Sequence, residues 1–138
     1  MSSRIVLDAW AIIALLQGEE PAAARVNQLL KQASSQETLL HISIINLGEV
    51  LYRVGKTRGE TQAWETLEQL RQLPIEIVQA TEENVLAAAT FKMRHPVSYA
   101  DAFAAAIALQ YDATLATGDP ELLRLRALLP IEKLERGG

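Results

Sequence analysis

Short apolar runs alternate along the chain with longer helical stretches, and this alternation restricts the possible fold more than any other feature. Five such runs have the length of strands, the first purely apolar and the others apolar with Thr, His or charged residues: 5–7, 39–42, 75–78, 114–117 and 131–134. Stretches of about ten residues or more with helical patterning separate them. Parallel strands need such helical crossovers, which are right-handed. The pattern therefore predicts an α/β domain around a mostly parallel sheet.

Capping and breaking residues delimit the predicted helices. Gly18 ends one helix and Pro21 opens the next, while His95-Pro96 stops a helix that begins near Thr81. No repeat, low-complexity segment or linker interrupts the pattern, which predicts a single domain over residues 1–138. The predicted helices cover residues 9–17, 21–33, 44–57, 60–72, 81–94, 98–109 and 120–129.

The composition narrows the chemistry that is possible. The chain has no cysteine and only two histidines, His41 and His95, so a thiolate or histidine-rich zinc site is not expected. Any metal would be held by carboxylates, which favour Mg²⁺ or Mn²⁺. A net charge of −4 argues against broad nucleic-acid binding, although a local basic path remains possible. The start of the chain does not resemble a signal peptide, and no apolar run approaches the roughly 20 residues of a membrane span. We therefore expect a cytoplasmic protein with no membrane segment.

Acidic residues stand at the places where a parallel sheet binds ligands. Asp8 follows the first strand directly, and Asp119 closely follows the fourth. Asp101 lies at the start of the helix that precedes this fourth strand. In open α/β sheets, ligands bind outside the carboxyl ends of the strands, so these three acids are expected near one edge. Glu49 lies about two turns into the helix after the second strand and would point back towards the same edge.

Three of the four acids also have a purely structural interpretation. Ser98 and Asp101 match the Ser-x-x-acid capping box, and Asp119 before a proline is typical of a helix N-cap. Glu49 and Arg53 have the spacing of an i,i+4 pair, which stabilises a helix by about 0.2–0.5 kcal/mol. On the other hand, two unscreened carboxylates 4 Å apart repel by about 4 kcal/mol at an effective dielectric constant of 20. A divalent cation would neutralise such a cluster and activate water for attack on a phosphoryl group.

Four stretches resemble, in order, the acidic motifs of PIN-domain ribonucleases, and most closely those of VapC-like toxins of toxin–antitoxin pairs. The resemblance implies a three-layer α/β/α fold that cuts single-stranded RNA with Mg²⁺ or Mn²⁺. It also implies a small antitoxin partner and a homodimer. The stretches are VLDA at 6–9, NLGEV at 46–50, SYADAFAAA at 98–106 and TGDP at 117–120.

The resemblance assigns a role to each acid. Asp8 and Asp101 would be the main metal ligands, and Asp119 would bind the metal directly or through water. Glu49 would orient or deprotonate the attacking water, and Thr117 would support the fourth acid. One position departs from the pattern, because Trp10 stands where many relatives carry Ser or Thr. An indole cannot replace a small hydroxyl group, but it could pack on the helix, line the groove or stack on a base.

Two basic clusters are candidates for RNA binding. They could hold phosphates near the metal, or they could simply complement the negative ends of their helices. The clusters are Arg53, Lys56 and Arg58 in one case, and Lys92 and Arg94, followed by His95, in the other.

Two other functions remain as alternatives. A PIN-domain nuclease of RNA processing would carry the same acids without an antitoxin, and a neighbouring small open reading frame would distinguish the two. A non-catalytic α/β signalling or interaction module is the other alternative. Receiver domains of this length also bind Mg²⁺ at strand ends, but they need paired acids after the first strand, where Asp8 stands alone.

Overall fold

A computed structural model describes residues 3–137 of the chain, so positions 1, 2 and 138 of the predicted domain lie outside the described residues. The five predicted strands all form. They pair in one parallel sheet in the spatial order third, second, first, fourth, fifth. The strands are β1 (Ser3–Leu7), β2 (Thr38–Ser43), β3 (Ile75–Val78), β4 (Thr114–Thr117) and β5 (Ile131–Lys133).

The centre of the sheet is β1, and its last residue sets the position of the ligand-binding edge. Leu7 is in register with Ile42 of β2 on one side and with Ala116 of β4 on the other. The residue that follows, Asp8, therefore leaves the sheet at its middle, between the ends of the two neighbouring strands. Strand order reverses around β1, and this reversal creates the crevice in which α/β sheets bind ligands.

Helices cover both faces of the sheet, which confirms the predicted three-layer α/β/α fold. Ile5 and Leu7 of β1 pack with the first four helices, whereas Val6 between them packs with the fifth and sixth helices, as the two-residue period of a strand requires. None of the helices in the described part of the chain is long and apolar enough to cross a membrane. The helices are α1 (Ala9–Gln17), α2 (Ala22–Ser34), α3 (Ile44–Arg58), α4 (Glu60–Arg71), α5 (Glu82–Arg94), α6 (Tyr99–Gln110) and α7 (Pro120–Leu123).

The prediction of a helix over residues 120–129 was wrong in its length. Helix α7 ends at Leu123, and turns occupy residues 124–128. In this segment the amide of Leu128 donates to the carbonyl of Leu125 at 2.8 Å, which is a turn of the tighter i to i+3 kind. Pro130 disfavours helical backbone at the residue before it. The apolar side chains of the segment are buried all the same, because Leu125 and Leu129 pack under α6.

Candidate active site

Asp8 is the most buried of the four acids, with 2% of its surface exposed. It caps α1, because one carboxylate oxygen accepts the amide of Ala11 at 2.9 Å, and the other oxygen accepts the hydroxyl of Thr117. The pKa of Asp8 is raised from 3.8 to about 7, mainly by burial and to a smaller extent by the charges of Asp119 and Glu49, while the two hydrogen bonds oppose the shift. The cap on α1 is a structural role that sequence reasoning did not assign to this residue.

Thr117 connects the first and fourth acids. It is fully buried at the end of β4, donates to Asp8, and accepts the backbone amide of Asp119 at 2.9 Å. The side chain of Asp119 accepts the amide of Glu121 at 2.8 Å, which confirms the predicted N-cap of α7. One hydroxyl group therefore fixes both the orientation of the Asp8 carboxylate and the backbone that presents Asp119.

Asp101 occupies the first turn of α6 with its side chain largely buried. The hydroxyl of Ser98 accepts the Asp101 amide at 3.1 Å, which is the predicted first half of a capping box. The second half differs from the prediction, because the amide of Ser98 donates to Glu121 at 3.0 Å instead. The pKa of Asp101 is raised to about 7, mainly by burial and then by the charges of Asp119 and Asp8, while the hydrogen bond with Ser98 opposes the shift. The Asp101 carboxylate is thus left to interact with the other acids.

Glu49 is held by Asn46, a residue to which sequence reasoning gave no role. The amide nitrogen of Asn46 donates to Glu49 at 3.1 Å and to the carbonyl of Ala100 at 3.1 Å, so it ties α3 to the start of α6. Asn46 is fully buried, and its carbonyl oxygen is the only buried side-chain polar atom among the described residues that lacks a hydrogen bond. The predicted alternative of a Glu49–Arg53 ion pair does not form among those residues. The signal available in the sequence was a polar residue in an otherwise apolar first turn.

The structure brings the four acids into one electrostatic cluster. The charges of Asp119 and Glu49 act on both Asp8 and Asp101, as the raised pKa values of those two groups show. All the ligand atoms available here are oxygens, and they include the unpaired Asn46 oxygen, so their chemistry fits a hard divalent cation. Within residues 3–137, however, no three acidic or histidine side chains stand in a ready-made ligand set. A cation would have to draw the carboxylates together, and its attraction for them would have to exceed their mutual repulsion.

Trp10 packs against the backbone next to the fourth acid. A Cβ atom added at Gly118 would lie 2.3 Å from the indole, so only glycine fits between Trp10 and the peptide that leads to Asp119. The indole also packs partly against the core, and the guanidinium of Arg136 lies over the ring, 5.5 Å from its centroid. Trp10 therefore packs on the fold, and it also lines a cleft together with Gly118 and Pro120.

The two basic clusters have different surroundings. Arg53, Lys56 and Arg58 line a cavity of about 390 Å³ between α1, α3 and α4. In the second cluster, the ammonium of Lys92 donates to the carbonyl of Val97 at 2.9 Å, and Arg94 lines a groove between α5 and α6. Neither cavity is lined by any of the four acids. Of the two clusters, only the first has all of its cations on the wall of one cavity, the basic groove.

Comparisons with known proteins agree with this fold. A family model described as PIN domain matches residues 5–128. No curated protein sequence matches the chain. Among solved structures, VapBC2 from Rickettsia felis bound to a promoter DNA fragment is similar, with a TM-score of 0.73 and 18% identity over 96% of this chain and 99% of that one.

Two further solved structures are also similar to this chain in fold. DNA-bound VapBC from Salmonella typhimurium matches with a TM-score of 0.72 and 19% identity, over 96% of this chain and 98% of that one. VapC20 from Mycobacterium tuberculosis, a toxin that cleaves the sarcin-ricin loop, matches with a TM-score of 0.69 and 15% identity, over 87% of this chain and 93% of that one. At such low identities these matches show a shared fold.

Proposed function

This chain belongs to the PIN-domain family, and from that premise we propose that it is a metal-dependent endoribonuclease that cuts single-stranded RNA in the cytoplasm. One observation carries the proposal. Asp8 and Asp101 are buried at the ligand-binding edge, where the negative charges of Asp119 and Glu49 act on both of them. Each of the two buried carboxyl groups has a pKa near 7. Helix capping explains the positions of Asp8 and Asp119 one at a time, but it does not explain why four like charges that repel one another lie together, and this points to chemistry.

Asp8, Asp101 and Asp119 would hold the cation, which we propose to be Mg²⁺ or Mn²⁺. When bound, it supplies a Lewis acid at the phosphoryl oxygen and lowers the pKa of water. The chain's own groups provide orientation. Ala11 and Thr117 each fix one oxygen of Asp8, and Thr117 also fixes the backbone of Asp119.

Glu49 would take the proton of the attacking water. Asn46 donates to one of its carboxylate oxygens at 3.1 Å and so fixes the carboxylate plane, while the other oxygen stays free to accept a proton. The Asn46 bond to Ala100 holds this base at a set position relative to α6, the helix that carries Asp101. The buried side-chain amide of Asn46 thus links the proposed base, Glu49, to the helix that carries the proposed metal ligand Asp101.

RNA would reach the acids from the side of the basic groove. Arg53, Lys56 and Arg58 present cations at the groove wall, and phosphate contacts of this kind position a strand without reading its sequence. We leave Lys92 and Arg94 out of this path, because the first binds the Val97 carbonyl and the second lies in the groove between α5 and α6.

We also propose that the protein is a toxin controlled by a small antitoxin. The support is the similarity of its fold to VapBC toxin–antitoxin complexes. The exposed surfaces of α1 and α2 around Trp10 are the proposed docking area. The alternative of an RNA-processing nuclease without an antitoxin predicts that expression of the wild type does not arrest growth, and that no neighbouring small protein protects the cell.

A homodimer remains a prediction, and exposed apolar side chains on α5, α6 and the α7–β5 segment support it. Leu86, Met93, Leu109 and Leu128 are 58%, 82%, 48% and 50% exposed. Light scattering of the purified chain would measure its mass, and Met93→Lys should shift a dimer towards the monomer. A monomeric wild type would contradict the prediction.

Binding of Mn²⁺, measured by calorimetry, tests the proposed metal site. We expect wild type to bind the ion and Asp101→Asn to bind it at least tenfold more weakly. Asp112→Asn is the matched control, because Asp112 follows α6 at its other end and has a left-handed φ of 52° that asparagine tolerates. Equal binding by wild type and Asp101→Asn would contradict the assignment of Asp101 as a ligand.

A further inference from the structure

The C-terminal segment after β5 is fixed along the turn between α1 and α2. The amide of Ala22 donates to the carbonyl of Glu135 at 2.8 Å, and the amide of Gly137 donates to the carbonyl of Glu20 at 2.7 Å. Leu134 is buried in the core between β5 and this segment. Arg136 therefore extends from an ordered backbone, although its side chain is 54% exposed.

Two weak contacts hold the Arg136 guanidinium. It lies over the indole of Trp10 at 5.5 Å, within the range of a cation–π interaction. Its Nη1 atom is also 3.4 Å from a carboxylate oxygen of Glu19, which is long for a charge-assisted hydrogen bond. Arginine has five N–H donors, and those on Nε and Nη2 have no hydrogen-bond partner among the described residues.

Arg136 lines two cavities, and it is the lining residue that they share. The first is the basic groove of Arg53, Lys56 and Arg58, of about 390 Å³. The second, of about 530 Å³, is a cleft lined by Trp10, Lys133 and the two residues that flank Asp119 in the chain, Gly118 and Pro120. The guanidinium therefore stands between the cleft that borders the neighbours of Asp119 and the basic groove.

We propose that Arg136, held against Trp10, binds the RNA phosphate next to the cleavage position and directs the strand from the cleft beside Asp119 into the basic groove. This inference rests on the proposed nuclease function. A planar guanidinium with free donors matches a phosphate, which it can bind through two parallel hydrogen bonds. Trp10 acts through Arg136 and is a positioning residue. It limits the motion of the guanidinium and so reduces the entropy that is lost on binding.

The charges favour a polyanion over a peptide as the occupant. The path from the cleft to the groove presents Lys133, Arg136, Arg53, Lys56 and Arg58, and the carboxylates beside it, Glu135 and Glu19, already face Lys133 and Arg136. Spaced cations along a groove are the usual means of tracking a single-stranded backbone. An antitoxin segment on the same surface is the competing occupant, and the test below separates the two.

The test compares steady-state cleavage of a labelled single-stranded RNA by wild type and variants. We expect Arg136→Gln to raise KM on the order of tenfold, the effect of one charged hydrogen bond, with kcat changed less than about twofold. The slope of log affinity against log salt should become shallower by about 0.7, the value for one phosphate contact on a single strand. Arg136→Lys keeps the charge and should recover the salt slope but only part of the affinity.

Three control variants separate RNA binding from a structural role. Arg71→Gln makes the same change at the end of α4, on the opposite edge of the sheet, and should leave KM and the salt slope unchanged. Glu19→Gln removes the ion pair of Arg136 and should leave KM equal or lower, whereas a purely structural role would make it as harmful as Arg136→Gln. For the positioning role, Trp10→Leu should raise KM and Trp10→Phe, which keeps an aromatic face, should restore it.

The results that overturn the inference differ from those that overturn the nuclease. If wild type cleaves RNA and Arg136→Gln matches it in KM and salt slope, the inference is wrong and the nuclease stands. It is also wrong if Arg136→Gln weakens antitoxin binding and leaves RNA binding intact. If wild type cleaves no RNA, the nuclease proposal fails. Binding of the labelled RNA to Asp101→Asn, with and without Arg136→Gln, then decides the role of Arg136 separately.

Discussion

Replacement of Gly118 by alanine tests the contact that sets the backbone of the fourth acid. The new Cβ atom would lie 2.3, 2.4 and 2.6 Å from three carbons of the Trp10 indole, whereas an ordinary contact begins at 3.4 Å. The indole must therefore retreat by about 1 Å, or the backbone before Asp119 must move. Trp10 packs on the core, and its benzene edge is not a flexible chain end, so the movement is costly.

Overpacking of this kind costs typically about 1–3 kcal/mol of unfolding free energy. Gly118 does not have a left-handed φ, so alanine brings no backbone strain, and it slightly reduces the entropy of the unfolded chain. The expected loss of about 2 kcal/mol should lower Tm by roughly 6–10 °C for a domain of this length. Activity should fall as well, because Asp119 follows directly.

A double-mutant cycle, followed by circular dichroism in urea, isolates the contact. In a Trp10→Ser background the space is open, and Gly118→Ala should be neutral or slightly stabilising. The interaction energy between the two changes should be about 2 kcal/mol. If Gly118→Ala costs nothing in wild type, or costs the same in both backgrounds, the indole does not occupy this space and the argument for the Trp10 contact fails.

Three further predictions follow from the site. The pKa values near 7 of Asp8 and Asp101 mean that the folded state binds protons more tightly than the unfolded state, whose carboxyls titrate near 3.8. Their contribution to the free energy of unfolding is full below about pH 4 and is lost as pH rises through 7, at up to about 1.4 kcal/mol per pH unit for each group. Tm should therefore fall from pH 5 to pH 8, and added Mg²⁺ should restore it. A Tm that rises over this range would contradict the shifts. Asn46→Leu removes two buried hydrogen bonds and should cost about 1–3 kcal/mol in urea unfolding, together with activity, since Glu49 loses its support; unchanged activity would mean that Glu49 does not need Asn46. Thr117→Val keeps the shape but removes the hydroxyl and should cost about 1–3 kcal/mol, whereas Thr117→Ser should behave like wild type; equal stability of the two variants would refute the bridging role of the hydroxyl.

The sequence was sufficient to predict the fold because local patterns define its elements. All five strands were predicted, and the order of strands and crossovers made a parallel sheet the simplest arrangement. Helix α7 was predicted too long because buried leucines at helical spacing, such as Leu125 and Leu129, also occur in the turns that follow it. In a short apolar segment, the sequence spacing of buried residues is similar whether the backbone forms a helix or a series of turns.

The candidate site was only partly predictable, and for a different physical reason. The acids could be expected at one edge because topology alone brings strand ends together. Their orienting contacts connect residues far apart in the chain, as with Thr117 and Asp8 or Asn46 and Ala100, and no local pattern encodes such pairs. The position of Arg136 over Trp10 depends on how the C-terminal segment folds back and could not be predicted at all.

Capping and electrostatic clustering proved to be compatible roles. Asp8 and Asp119 each cap a helix with one carboxylate oxygen, and both still contribute charge to the cluster. A cap fixes the carboxylate in place, and a fixed carboxylate is what a preorganised site requires. The structural and functional interpretations of these acids are therefore two aspects of one arrangement.

Cleavage of single-stranded RNA by the purified protein tests the central claim most directly. Wild type, Asp101→Asn and the control Asp112→Asn would be compared with Mg²⁺, with Mn²⁺ and with EDTA. We predict that wild type and Asp112→Asn cut the RNA, that EDTA abolishes cutting, and that Asp101→Asn, which keeps the size of the side chain, does not cut. Cutting by Asp101→Asn at the wild-type rate, or cutting that persists in EDTA, would contradict a metal-dependent nuclease built on these acids.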